Sequence, residues 1–446
     1  MAIKLGMVSL GCSKNLVDSE RMLYKCRVHG YTLETDPGKS DVVIVNTCGF
    51  IQSAKEEAIE TILELCELKK SGDIKKIILT GCLVERYRDE VADEFPEVDA
   101  VVGFSNEKDI VDIVDSCMKD TRVIDFAPKS EAELTGSRVI STLPFSAYLK
   151  ISEGCSNSCT YCAIPSIRGP YRDVAFEDIL SEARDLAENG VTEIIVIAQD
   201  STRYGEELYR KNRLPELLKE LCKIEKLHWV RVLYCYPERI TDELLDTMAA
   251  EEKLISYLDM PIQHCSKNVM KRMHRPGSKE KLTALIKKIR DKVPDIVLRT
   301  TLITGFPGET EADFEELSEF IADVKFDHLG CFAYSQEEGT KAAEFEDQID
   351  EEVRQHRSDM IMEQQMFINA EILEKKIGSV MEVVIEGYDK YAGIYFGRSR
   401  CDIPDIDGKI FVSSDKALDC GDYVYVKINE AMDYDLIGEI CNEPAK

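Results

Sequence analysis

The chain has 446 residues, 44% of them hydrophobic, which is enough for two or three domains that each bury a core. The net charge of −28 disfavours nucleic acid and favours a basic partner, although acidity can also serve solubility alone. Without a GxxxxGK, GxGxxG or HExxH motif, nucleotide-triphosphate and hydrolytic zinc chemistry lack support. We expect no membrane span and no secretory signal, and sixteen cysteines then indicate a cytoplasmic protein with metal or redox chemistry.

Residues 1–120 alternate between predicted strands and helices. Three apolar runs each end at a cysteine: LGMVSLGC at Cys12, DVVIVNTC at Cys48 and KKIILTGC at Cys82. Helical patterns follow at about 15–29, 54–68 and 84–94. This βαβαβ order predicts a doubly wound parallel sheet, and the carboxyl ends of its strands lie on one edge. The three cysteines should therefore converge there. One cysteine alone is more typical of packing, but three together favour an iron–sulfur or zinc site.

The pattern weakens over residues 121–143, which we interpret as a linker. Residues 144–375 then alternate again between strands and amphipathic helices. The predicted strands are SAYLKI, EIIVIAQD, WVRVLYCYP, ISYLDMPIQ, IVLRTTLITGFPG and HLGCFAYS. Six βα units predict an incomplete parallel (βα)6 barrel whose functional site lies at the carboxyl ends of the strands.

The first βα loop of this barrel reads GCSNSCTYCAIP and carries Cys155, Cys159 and Cys162 as CxxxCxxC. A disulfide needs two cysteines and a structural zinc four ligands, whereas this loop supplies three thiols. Three thiolates can hold three irons of a 4Fe–4S cluster, which normally has four cysteine ligands. The open iron can chelate S-adenosylmethionine, and one electron then yields a 5′-deoxyadenosyl radical. Zinc with a distant fourth ligand is the alternative.

Residues 376–446 follow a charged helix predicted over about 351–376. Short strands separated by Gly and Asp turns predict a small β-barrel. This segment has 14 acidic and 8 basic residues, a net charge of −6. A barrel that binds RNA should be basic, whereas an acidic one suits a basic protein.

CxxxCxYC in the first βα loop resembles the radical-SAM superfamily. With the N-terminal cysteines and the terminal barrel, nearly the whole chain resembles the methylthiotransferases, and the motifs are similar to the RimO branch. These motifs are SLGCSKNLVDSE, VNTCGFI, TGCL, QDSTRYG, PIQHCSKNVMKRMHR, LRTTLITGFPGETE and HLGCFAYSQEEGT. DIPDIDGKIF and YDLIGEI resemble the terminal barrel of that branch, called TRAM.

The resemblance implies a second 4Fe–4S cluster on Cys12, Cys48 and Cys82, whose open iron would carry the sulfur to be inserted. One S-adenosylmethionine would methylate this sulfur, and a second would supply the radical that activates a carbon. RimO-type enzymes modify an aspartate β-carbon in small-subunit ribosomal protein twelve, with an electron donor such as flavodoxin or ferredoxin. A MiaB-like enzyme acting on a transfer-RNA adenosine is the alternative, which the acidic terminal barrel disfavours. An iron–sulfur electron carrier or a zinc scaffold is the non-enzymatic alternative.

The resemblance also places contacts to S-adenosylmethionine around the barrel loop and at or near the ends of barrel strands. The candidates are Tyr161, Gln199, Asp200, Gln263, Arg299 and Gly305. The alternative is that polar residues at the top of a barrel merely satisfy loop backbones. Gly305 likewise suits either close approach to a ligand or a tight turn. The ten other cysteines are expected to be structural.

Overall fold

The N-terminal part of the chain forms one parallel six-stranded sheet in the computed structural model, which describes residues 3–441. Its strands are β1 (Lys4–Ser9), β2 (Thr32–Glu34), β3 (Val42–Thr47), β4 (Lys76–Gly81), β5 (Ala100–Val102) and β6 (Val123–Asp125). They pair in the order β2-β1-β3-β4-β5-β6, and every pair is parallel. All residues of β3 are buried, as expected for β-branched runs covered on both faces.

Five helices cover this sheet. They are α1 (Ser13–His29), α2 (Gln52–Ser71), α3 (Cys82–Tyr87), α4 (Asp89–Glu94) and α5 (Ile110–Met118). One apolar cluster joins α1 and α5 to one face, and a second joins α2, α3 and α4 to the other. The predicted doubly wound sheet is confirmed. The single helix expected over 84–94 is wrong, because Arg88, with a φ of 39°, interrupts it between α3 and α4.

The segment expected to be a linker, 121–143, begins within the N-terminal sheet. Strand β6 pairs with β5, so the sheet continues past residue 120. Further along, Arg138 forms ion pairs with Glu20 of α1 at 3.0 Å and with Glu182 at 2.9 Å. These contacts attach the segment to both neighbouring parts of the chain. The domain limits at 120, 143 and 375 stay predictions.

A second parallel sheet of six strands forms the central barrel. The next eight strands along the chain, six of which form this sheet, are β7 (Ser146–Lys150), β8 (Ser152–Glu153), β9 (Arg172–Asp173), β10 (Glu193–Ile197), β11 (Trp229–Val232), β12 (Leu254–Asp259), β13 (Val297–Thr304) and β14 (His328–Ala333). The sheet order is β14-β13-β12-β11-β10-β7, and β8 and β9 form a separate antiparallel pair. Within residues 3–441, β7 and β14 are the two edges, so the predicted incomplete barrel with six strands is confirmed.

Eight helices accompany the central barrel. They are α6 (Ile164–Arg168), α7 (Phe176–Glu188), α8 (Leu214–Cys222), α9 (Asp242–Ala250), α10 (Lys267–Arg272), α11 (Lys279–Lys292), α12 (Glu311–Val324) and α13 (Glu351–Glu374). The apolar faces of the longer ones join the outward residues of the strands in the largest core cluster. No helix between residues 3 and 441 is long and apolar enough to cross a membrane.

The remaining strands close into the terminal barrel, as predicted. They are β15 (Val380–Asp389), β16 (Ile394–Ser399), β17 (Ile410–Ser413), β18 (Tyr423–Ala431) and β19 (Leu436–Ile440), in the order β15-β16-β17-β19-β18. The terminal barrel covers the end of the central barrel where the strands begin. There, Tyr423 contacts Thr192 through a hydroxyl pair at 3.0 Å, just before β10. The opposite end, where the strands finish, faces the N-terminal domain.

A buried ion pair fastens the terminal barrel to the central barrel. Arg398 of β16 donates to both carboxylate oxygens of Glu193, one at 3.0 Å, and Glu193 also accepts from Ser146 at 2.8 Å. Both members of the ion pair are almost completely buried. Arg231 also lies 3.5 Å from Glu193, so removing Arg398 leaves the buried carboxylate with a weaker ion pair in a medium of low dielectric constant.

We therefore expect Arg398→Gln to destabilise the unit of the two barrels by about 3–5 kcal/mol, the usual cost of breaking a buried pair. The exposed pair of Lys223 and Glu220 offers a control, because Lys223→Gln should leave the unfolding midpoint almost unchanged. Thermal unfolding followed by circular dichroism measures both. Equal shifts of the two midpoints would show that the buried pair does not fasten the barrels.

Candidate functional site

Three cysteines lie at the carboxyl edge of the N-terminal sheet and are called here the sheet triad: Cys12, Cys48 and Cys82. Cys12 precedes α1, Cys48 directly follows β3, and Cys82 is the first residue of α3. They follow β1, β3 and β4, which are neighbours in the sheet. The chain order reverses between β1 and β3, and ligands bind at such switch points. Cys48 and Cys82 are buried, whereas Cys12 is exposed.

The three turns of the sheet triad are in direct contact. Gly11 has a φ of 86°, and a Cβ there would lie 2.7 Å from the Cys48 sulfur, so only glycine permits this approach. The Asn15 amide donates to the carbonyls of Leu10 at 3.1 Å and Thr47 at 3.0 Å. Its Oδ1 lies 3.5 Å from the Cys82 sulfur. One buried amide thus connects all three turns.

The loop triad comprises Cys155, Cys159 and Cys162, which lie between β8 and α6 at the carboxyl end of the central barrel. The backbone N–H of Asn157 lies 3.4 Å from the Cys155 sulfur, and that of Ile164 lies 3.4 Å from the Cys162 sulfur. Burial raises the pKa of Cys155 to about 11 and that of Cys162 to about 12. Thiols in such surroundings keep their protons at neutral pH unless a metal replaces them.

Each triad supplies three thiols, which are soft ligands of the kind that iron–sulfur clusters use. Across residues 3–441, no group of three His, Cys, Asp or Glu side chains is arranged to hold a single metal ion. A 4Fe–4S cluster takes one thiolate at each of several separate irons. The role of the six cysteines as ligands stays a prediction.

The two triads lie against each other where the N-terminal domain meets the central barrel. Cys82 packs on Ala163 and Ile167, in the segment that directly follows Cys162. Arg168, the last residue of α6, donates from Nε to the Cys82 sulfur at 3.4 Å. The interface between the domains therefore passes between the two candidate cluster sites.

A buried network of four charges surrounds this contact, formed by Arg168, Asp18, Lys150 and Glu153. Arg168 Nη1 donates to Asp18 at 2.7 Å and to Glu153 at 3.3 Å. Lys150 donates to Glu153 at 2.9 Å and also to Asp18. No side chain of the four is more than 4% exposed. Although burial opposes its ionisation, the cations of Lys150 and Arg168 lower the pKa of Glu153 below its ordinary value.

Among the candidate contacts to S-adenosylmethionine, Asp200 and Tyr161 lie closest to the loop triad. Asp200 is buried at the end of β10 and accepts from Asn157 Nδ2 at 3.1 Å and from Thr202 at 2.6 Å. It thereby supports the cysteine loop. The Tyr161 hydroxyl lies 3.4 Å from Arg275 Nη1, and Gln199 is partly buried beside Asp200.

The other three candidates lie on or beyond β12 and β13. Gln263 has a φ of 69°, which is unusual for a residue other than glycine and is typical of strained functional positions. Gly305 has a φ of 68°, and a Cβ there would lie 2.2 Å from Arg354 Cγ, so its close approach is to α13. Arg299 pairs with Asp259 at 3.6 Å and with Asp407 of the terminal barrel at 3.5 Å. Cofactor contact by each of these residues stays a prediction.

A cavity of about 750 Å³ lies at the opposite end of the central barrel, against the terminal barrel. Trp229, Val297, Glu382 and Arg400 are among its lining residues. It is far from both triads in the fold, since it opens where the strands begin. None of the six candidate cysteines lines this cavity.

Three family models match the chain. They are "Uncharacterized protein family UPF0004" over residues 4–103, "Radical SAM superfamily" over 149–321 and "TRAM domain" over 377–441. The ribosomal protein uS12 methylthiotransferase RimO of Clostridioides difficile (strain 630) is 48% identical, covering 99% of this chain and 100% of that protein. RimO of Lachnoclostridium phytofermentans is also 48% identical, covering 98% and 99%.

Among solved structures, the radical S-adenosylmethionine methyltransferase TsrM of Kitasatospora setae has a TM-score of 0.55 and 12% identity, covering 75% of this chain and 72% of that one. This likeness shows the fold alone. The chain is a radical-SAM protein with a TRAM domain, which implies iron–sulfur and S-adenosylmethionine chemistry. It belongs to the RimO family of methylthiotransferases, and the sequence-based assignment is confirmed.

Sequence reasoning did not single out Asn15 or the four-charge network. Asn15 stands inside a helix, where asparagine is a poor helix former, three residues after Cys12. Arg168 stands six residues after Cys162. Both positions are close in sequence to a cysteine motif, and that proximity was the available signal. Their partners lie far away along the chain, so the contacts themselves required the fold.

The titration of Glu107 tests how strongly the interface between the N-terminal domain and the central barrel is shielded from water. Burial, reinforced by Asp18, raises the pKa of Glu107 to about 8. The folded state therefore keeps a proton that the unfolded chain releases near its ordinary value of 4.5, and stability falls as the pH rises from there to 8. We expect Glu107→Gln, which cannot ionise, to gain thermal stability relative to the parent as the pH is raised from 5 to 8. The exposed Glu60→Gln is the control, and a gain that does not change with pH would contradict the account.

Proposed function

We propose that this chain inserts a methylthio group at the β-carbon of an aspartate in ribosomal protein uS12, using two 4Fe–4S clusters and S-adenosylmethionine. The observation that carries this proposal is the pair of facing cysteine triads, in a chain that shares its full length with RimO proteins. Each triad offers three thiols where a cluster has four irons, so each leaves one iron for another ligand. The reaction belongs to the cytoplasm, where ribosomal proteins are made.

The loop triad would hold one cluster and the sheet triad the other. When reduced, for example by flavodoxin or ferredoxin, the cluster of the loop triad would supply the electron that cleaves S-adenosylmethionine to a 5′-deoxyadenosyl radical. The task of the protein is to position the reactants and exclude water. Asp200 supports the loop through Asn157. The Arg275 guanidinium lies 4.2 Å from the Tyr236 ring, and this pair shields the loop from one side.

We propose that S-adenosylmethionine contacts Tyr161, Gln199 and Gln263, which lie at the carboxyl end of the central barrel. The strained backbone of Gln263 supports this assignment, because such strain persists where function requires it. We also propose cofactor contact for Asp200, Arg299 and Gly305, each of which in addition contacts other groups of the chain.

The charge of the terminal barrel supports a basic protein as the substrate. The segment has a net charge of −6, and its buried charges include a base, Arg398, as well as an acid, Asp402. Asp407 is also buried and accepts from the Tyr257 hydroxyl at 2.6 Å, so it belongs to the interface and not to the acidic surface. Exposed carboxylates such as Asp405, Asp415 and Asp419 remain to attract a basic partner and repel RNA.

Iron content tests the number of clusters. The anaerobically reconstituted protein should hold about eight irons, and the variant with all three loop-triad cysteines changed to Ala should hold about four. The matching variant of the sheet triad should also hold about four. Iron and acid-labile sulfide assays measure this, and a folded loop-triad variant without any iron would refute two independent sites.

Product analysis tests the substrate. We expect the reduced, cluster-loaded protein to convert uS12 to its methylthio form with S-adenosylmethionine, and to leave transfer RNA unchanged, because the acidic barrel repels phosphate. The loop-triad variant is the control, since it should form neither product. Mass spectrometry of both substrates decides the outcome, and methylthiolated transfer RNA with unmodified uS12 would favour the MiaB-like alternative.

A further inference from the structure

We propose that Arg168 is a positioning residue that holds the two triads in register and raises the reduction potential of the cluster on the sheet triad. This inference rests on the proposed function in one respect, namely that the sheet triad holds a cluster. Arg168 comes from the segment that follows the loop triad, yet its side chain reaches the sulfur of Cys82 in the other domain. This contact is a hydrogen bond that joins a candidate ligand of one cluster to the segment after the loop of the other, beside the packing of Cys82 on Ala163 and Ile167.

The Arg168 guanidinium is fixed on every side. Nε donates to the Cys82 sulfur at 3.4 Å, Nη1 donates to Asp18 and Glu153, and Nη2 donates to Asn15 Oδ1. One face lies 4.7 Å from the Phe104 ring, and the residue is 1% exposed. A planar guanidinium with partners on all its edges cannot rotate without losing several hydrogen bonds at once.

The partners of Arg168 reach both triads. Asn15 connects the three turns of the sheet triad, as described above. Glu153 accepts from the backbone N–H of Gly154 at 2.9 Å, directly before Cys155 of the loop triad. A displacement of Arg168 would therefore disturb the contacts of both triads. Buried groups from two domains hold its side chain in place.

The same contact has an electronic consequence. Hydrogen bonds to cysteine sulfur, together with net charge and solvent exposure, set the potential of an iron–sulfur centre. A reduced cluster carries one more negative charge than an oxidised one. A buried cation that donates to the sulfur stabilises the reduced form more, because the low local dielectric strengthens the interaction. Lys150 belongs to the same network, but its hydrogen bonds go to Asp18 and Glu153 and not to a cysteine.

This difference supplies a matched pair of variants, Arg168→Gln and Lys150→Gln, each of which removes one buried cation. Both are made in the background where the loop-triad cysteines are Ala, so that one cluster is observed. A redox titration followed by electron paramagnetic resonance measures its potential. We expect Arg168→Gln to lower the reduction potential of this cluster by about 59 mV or more, which is a tenfold change in the equilibrium constant of a one-electron couple. Lys150→Gln should lower the potential less. Arg168→Lys, which keeps the charge but loses the planar fork, should fall between the parent and Arg168→Gln.

The outcomes separate the inference from the proposed function. If the background protein holds no iron, the cluster assignment itself fails. If it holds iron and Arg168→Gln leaves the potential unchanged, or Lys150→Gln shifts it equally, the inference on Arg168 is overturned. Loss of iron from both Arg168 variants but not from Lys150→Gln would support the positioning role. Loss of iron from all three would show a general folding effect and overturn the inference.

Discussion

The buried ion pairs among Arg168, Asp18, Lys150 and Glu153 are the constraint on which the arrangement of the protein depends. Four charges removed from water are tolerated only when each finds opposite charge and hydrogen bonds in good geometry. Those partners come from α1 of the N-terminal domain and from β7, β8 and α6 of the central barrel. The network joins the two domains where the carboxyl edges of both sheets meet, and there Cys82 of the sheet triad packs against the segment that follows the loop triad.

The terminal barrel completes this arrangement at the opposite end. Arg398 and Glu193 join the terminal barrel to the central barrel where the strands of the central barrel begin, at the end opposite the two triads. The acidic surface of the terminal barrel and the candidate cluster sites thus belong to different ends of the central barrel. A substrate protein has to reach the carboxyl end while its basic parts are attracted by the terminal barrel, which suits an extended or large partner better than a small molecule.

Much of the fold could be predicted because its signals are local. Apolar β-branched runs located the longer strands, and a cysteine after each of three strands placed the sheet triad on one edge. Strand β6 was missed because three residues give little pattern, and the break at Arg88 because it depends on backbone geometry within an otherwise helical run. Arg299 pairs with Asp407 of the terminal barrel, a contact that could not be predicted from the sequence, and its contact with the cofactor stays a prediction. The charged network was missed because its members are matched only in the folded chain.

The magnetic interaction between the two clusters tests the central claim most directly. The chain loaded with both clusters is reduced, and its electron paramagnetic resonance spectrum is compared with the sum of the spectra of the two single-triad variants. Because Cys82 packs against the segment that follows Cys162, we predict spin–spin coupling that broadens or splits the spectrum beyond that sum. A spectrum equal to the sum of two isolated clusters would contradict the claim that the network brings the two triads together.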